Sequence, residues 1–85
     1  MRAGDEYDPH ALAERAETVR TILRALQGIP DALREIVVLH EIEGREIGEV
    51  ARILGCSAAA ARMRLFRARH CLKDRVRSLM GGAGG

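Results

Sequence analysis

The sequence predicts an all-α domain of four helices containing a helix-turn-helix, with no wing and no strand. Three observations predict it. Apolar residues recur with a 3.6-residue period along most of the 85-residue chain. Gly, Pro, Asp and Ser fall where helices start and stop. No two-residue alternation or hairpin turn accompanies any apolar run, including Ile36-Val37-Val38-Leu39.

The first helix is expected over residues 9–27, with Asp8 as N-cap and Pro9 at the first helical position. Leu12, Ala16, Val19, Ile22, Leu23 and Leu26 form one stripe and are expected to face the core. Gly28 is placed to end this helix in a left-handed conformation. Pro30 opens a second helix over 30–43, with Leu33, Ile36 and Val37 facing inward beside His40, and Gly44 ends it. A short third helix, 45–54, presents Ile47, Val50, Ala51 and Leu54. Gly55 turns the chain, Cys56 points inward and Ser57 caps a fourth helix over 58–79. The apolar stripe of that helix is Ala61, Leu65, Ala68, Leu72, Val76 and Leu79. The domain is thus expected over 8–80, between a polar tail or linker end at 1–7 and a flexible Gly-rich tail at 81–85.

Composition excludes several classes of function. Apolar residues make up 47% and charged residues 31%, the balance of a folded chain. No apolar run approaches the ~20 residues of a membrane span, and no signal peptide is visible. Cys56 and Cys71 form neither a disulfide framework nor a CxxC pair, so they read as small core or helix-flank residues and the cytoplasm is the expected compartment. His40-Glu41 would open a zinc-protease motif, but its second His would fall at position 44, which is Gly. No paired carboxylates, nucleophile–base arrangement, metal cluster or Gly-rich phosphate loop stands out in the sequence. The expectation is a protein that is not an enzyme and takes no cofactor and no metal.

Charge is unevenly distributed. Residues 1–44 carry five Arg against nine Asp or Glu, whereas residues 45–85 carry nine Lys or Arg against three acids. From Arg62 to Arg77 there are seven positive charges and one negative, Asp74. Such a stretch is a footprint for a polyanion or, equally, a solvated helix face. The turn pattern alone likewise fits either a DNA-binding helix-turn-helix or a structural αα-corner. On a helical wheel the fourth helix turns Ala59, Arg62, Met63, Phe66, Arg67, His70, Lys73 and Arg77 outward. Arg62 and Arg67 have the reach for phosphates or guanine edges, and an outward Phe66 suits thymine methyls or a partner protein.

In order along the chain stand Ile29-Pro30, Arg34-Glu35, Glu43-Gly44, Glu49-Val50-Ala51, Leu54-Gly55-Cys56-Ser57 and Arg64-Leu65-Phe66-Arg67-Ala68-Arg69. This combination, spanning Ile29 to Val76, resembles region 4 of bacterial sigma-70 family sigma factors, with the extracytoplasmic-function (ECF) subgroup the nearest. The resemblance implies a four-helix domain that reads the −35 promoter element in the major groove. It also implies docking on the β flap of RNA polymerase and binding by an anti-sigma factor. By position it places Arg62, Met63, Phe66 and Arg67 at the DNA surface, with Arg64 and Arg69 facing phosphate or flanking the helix. Ser57, Ala59 and Lys73 complete the candidate DNA-binding set.

The chain departs from the family in two respects. Ala58-Ala59-Ala60-Ala61 stands where the family has Val-Gly-Thr-Val, which removes a hydroxyl and leaves only methyl groups. One domain also leaves no room for the part of a sigma factor that reads the −10 element, so an excised domain or a stand-alone sigma-like protein is expected. The alanine run favours an alternative, a sigma-like interaction module that binds polymerase or a regulator without reading DNA. A LuxR-type DNA-binding domain has a related helix-turn-helix, but the extended basic fourth helix argues against it.

Overall fold

The computed structural model describes residues 8–81. The expected tail at 1–7 and all of the Gly-rich tail except Gly81 lie outside the described residues. Four helices follow one another, with no strand among the described residues: α1 (Pro9–Gln27), α2 (Asp31–Val37), α3 (Ile47–Leu54) and α4 (Ala58–Leu79). A π-helical turn, Val38–Ile42, prolongs α2.

Asp8 caps α1 as expected, its Oδ1 accepting the His10 N–H at 3.1 Å. At the other end Gly28 is not left-handed: its φ is −94° and its ψ is 0°. It serves a close approach instead, because a Cβ there would lie 2.5 Å from Nε of Arg75 on α4. The α1 terminus is closed by Arg34 of α2, whose guanidinium donates to the Leu26 and Ile29 carbonyls at 3.2 Å each. Arg34 also pairs with Asp31. Arg34 thus adds a side-chain donor to the Leu26 carbonyl, which also accepts the Ile29 N–H, and ties the helix end to the Ile29 linker.

Pro30 precedes α2 and accepts from the Leu33 and Arg34 N–H groups. A uniform α-helix to residue 43 is expected, but the chain widens at Val38, where the Glu43 N–H donates to the Val38 carbonyl. Gly44 then adopts φ +74°, a value that favours glycine. The half-buried His40 spans this turn, with its Nδ1 2.9 Å from the Arg45 carbonyl. A carbonyl only accepts, so Nδ1 carries the proton.

The core gathers Leu26, Ile29, Ile36, Val37, Val50, Ala51, Ala61, Leu65 and Ala68. Leu33, Leu39, Ile47, Leu54, Cys56, Cys71 and Leu72 pack around it, half-buried. Helix α4 is the spine, packing against each of the other three helices. Its buried residues Ala61, Leu65 and Ala68 lie on the expected stripe. The α1 stripe is the exception. Ala25 and Leu26 alone are buried there, while Leu12, Val19, Ile22 and Leu23 are exposed. The periodicity correctly reports a helix, but its full burial is confined to Ala25 and Leu26 near its end.

Candidate nucleic-acid interface

The turn between α3 and α4 aims the basic helix. Gly55 is left-handed, with φ +74° and ψ +36°. The Cys56 N–H donates to the Ala51 carbonyl at 2.9 Å and the Gly55 N–H to the Arg52 carbonyl at 3.2 Å. These two bonds make a Schellman motif. Ser57 follows in an extended conformation, and its Oγ accepts the Ala60 N–H at 3.0 Å. Ala51 is buried beneath, small enough to let α3 and α4 approach. The exit direction of α4 is therefore set by one left-handed residue and one hydroxyl cap.

The candidate residues divide into three groups. Ala59, Arg62, Met63 and Phe66 come together, lining one shallow groove on the outer face of α4. Met63 and Phe66 are 54% and 59% exposed, so this face carries an apolar strip in open solvent. His70 stands one turn beyond Phe66 and meets its ring edge-on, with centroids 4.7 Å apart and planes at 64°. Arg67 and Lys73 are exposed further along the helix.

Ser57 is exposed, and its hydroxyl oxygen accepts the capping bond while its O–H points free of the cap. Arg64 is half-buried. Arg69 is exposed yet engaged: its Nε lies 2.7 Å from Oε2 of Glu41 in the π-helical turn. That pair links α4 to the π-helical turn and takes Arg69 out of the groove formed by Ala59, Arg62, Met63 and Phe66.

Arg45 sits between Glu43 at 2.8 Å and Glu49 at 2.9 Å. The hydrogen bond that Arg45 donates to Glu43, and then the charge of Glu49, raise its pKa above the usual guanidinium value. Sequence reading missed the exposed Arg52 on the last turn of α3, next to the turn that aims α4. Its place between the apolar positions Ala51 and Ile53 was the available signal. A second shallow groove is lined by Asp31, Arg34, Glu35, Val38, Leu39 and Ile53. Among the described residues no group of three or more His, Cys, Asp or Glu could hold a metal ion. No helix there is long and apolar enough to cross a membrane.

Comparison with known proteins identifies the family of this helix-turn-helix. Residues 20–72 match the family model described as "Sigma-70, region 4". The ECF RNA polymerase sigma-E factor of Escherichia coli (strain K12) is 30% identical over 73 residues, covering 86% of this chain and 38% of that protein. The protein of the same name from Salmonella typhimurium (strain LT2) matches equally. That of Haemophilus influenzae is 29% identical over 65 residues, covering 76% of this chain and 34% of its own length. The chain thus spans little more than a third of the curated relatives it matches. With a family match over more than half its length, the chain belongs to the sigma-70 region 4 family, in the form found in ECF sigma factors.

Proposed function

We propose that this domain binds the −35 element of promoter DNA through α4 and docks on RNA polymerase for transcription initiation, as part of an ECF sigma factor. The observation that carries this reading is the Ser57-capped helix presenting Arg62, Met63, Phe66 and Arg67 outward in an otherwise basic segment. The N-terminal half of such a helix enters the major groove, and its basic flank meets phosphate. Lys73 and Arg52 would extend that flank. The relatives' printed names, sigma factors of RNA polymerase, support the same assignment.

The groove of Val38, Leu39 and Ile53, rimmed by Asp31 and Glu35, is the surface we assign to polymerase, at the β flap. The exposed Met63 and Phe66 also suit an anti-sigma factor with an acidic surface, which would compete with DNA for α4. Such a protein belongs in the same compartment as polymerase, the cytoplasm.

The test is selection of duplex DNA by the 85-residue chain from a randomised pool, followed by binding across a salt series. The reading expects one enriched sequence and an affinity that falls steeply with salt. The exposed apolar residues and the run Ala58–Ala61 favour a second reading, a protein-interaction module that does not read DNA. Failure to enrich any sequence, with capture of polymerase or a co-encoded regulator through Phe66, would establish that reading instead.

A further inference from the structure

We infer that this domain reads base sequence mainly through the 5-methyl groups of thymine, with Ala59, Met63 and Phe66 as the methyl-contacting side chains. The inference rests on the proposal that α4 enters the major groove, and names what it recognises there. The chemistry follows from the first two turns of the helix. Between Ala58 and Phe66 the exposed side chains are Ala59, Ala60, Arg62, Met63 and Phe66. Arg62 alone among them can hydrogen-bond. Every other exposed side chain of these two turns ends in a methyl, a thioether or an aromatic ring.

The major groove displays one apolar group, the thymine C5-methyl; all its other distinguishing features are hydrogen-bond donors or acceptors. An apolar strip facing that groove gains by burying a thymine methyl. Facing a cytosine or adenine amino group, the same strip leaves a donor without its water and without a partner, which is unfavourable. Selection is therefore two-sided. The strip is also ordered for the task. Phe66 is the only Phe of the chain and is placed in solvent, with its ring braced edge-on by His70 at 4.7 Å. Met63 shares the groove with Phe66 and Ala59, and its flexible, polarizable side chain adapts to the gap between two methyl groups. Arg62 at the groove edge remains for a guanine edge, and Arg67 beyond it for phosphate.

The experiment uses the full 85-residue chain and the duplex enriched from a randomised pool. Each thymidine of that duplex is replaced in turn by deoxyuridine, which removes the methyl and nothing else. The expected result is a loss of about fourfold at one or more positions, the burial value of one methyl group. In Phe66→Ala or Met63→Gln the thymidine–deoxyuridine difference at the affected position falls below about twofold, whereas in Arg67→Ala affinity drops for both duplexes and the difference persists. Circular dichroism melts establish that each variant is folded. Equal binding of thymidine and deoxyuridine duplexes at every position, with sequence-specific binding intact, overturns the inference alone. So does a difference unchanged in both Phe66→Ala and Met63→Gln. If no duplex is enriched, the DNA-binding reading itself fails, and the inference with it.

Discussion

Arg69 of α4 and Glu41 of the π-helical turn form an ion pair between residues 28 positions apart in the chain, with Nε 2.7 Å from Oε2. Both side chains are substantially exposed, so the pair contributes little to stability, about 0–1 kcal/mol. Its consequence is directional: one of the seven positive charges between Arg62 and Arg77 is turned toward protein.

That geometry separates two neighbouring arginines by function. Arg67→Ala should weaken duplex binding and lower the log–log salt slope by about 0.9 if the side chain meets one phosphate. Arg69→Ala should leave the slope nearly unchanged. Fluorescence anisotropy at a series of salt concentrations measures both. An equal fall in slope for the two variants would mean that Arg69 leaves Glu41 for DNA.

Two apolar stripes that look alike in sequence should behave differently. Leu65 is 7% exposed in the core, and Leu65→Ala should cost about 2–5 kcal/mol. Leu23 is 50% exposed on α1, and Leu23→Ala should cost no more than about 0.5 kcal/mol. Urea denaturation of the two variants checks this. A large loss for Leu23→Ala would show that α1 packs against something in solution.

The turn before α4 has its own signature. Ser57→Ala removes the acceptor for the Ala60 N–H and should cost about 0.5–2 kcal/mol. Gly55→Ala places a Cβ on a left-handed residue and should cost about 1–2 kcal/mol, although the added atom meets no neighbour within 4 Å. Thermal melts report both. A neutral Gly55→Ala would mean that the turn relaxes without cost.

Arg34 should prove structural. It donates from a partly buried position to the Leu26 carbonyl at the α1 terminus and to the Ile29 carbonyl just beyond it. Arg34→Ala should cost about 1–3 kcal/mol, and Arg34→Lys should restore only part of it, since one ammonium lacks the forked donors. Denaturation midpoints of the two variants decide the matter.

The order of helices was legible because it rests on local signals. The Asp8 and Ser57 caps, the Gly44 and Gly55 turns and the α4 stripe each lie within a few residues of what they control. Features set by distant contacts were not legible. The Glu41–Arg69 pair, the Arg34 clamp on α1 and the approach of Arg75 to Gly28 depend on how helices cross. The α1 stripe misled for a related reason: periodicity reports that one helix face is apolar, not which surface lies opposite it. The outward set on α4 was readable from the wheel, since a regular core stripe leaves only one direction for Met63 and Phe66.

DNA reading by the outer face of α4 is measured by the affinity of the 85-residue chain for its selected duplex against a scrambled one, for wild type, Arg62→Ala and Phe66→Ala. The wild type should bind the selected duplex more tightly, and in a salt-dependent way. The preference should shrink at least about threefold in each variant while the melting temperature is unchanged, since each change removes one exposed base-edge contact. A preference of the same size in both variants, or no preference in the wild type, would contradict DNA reading by this face.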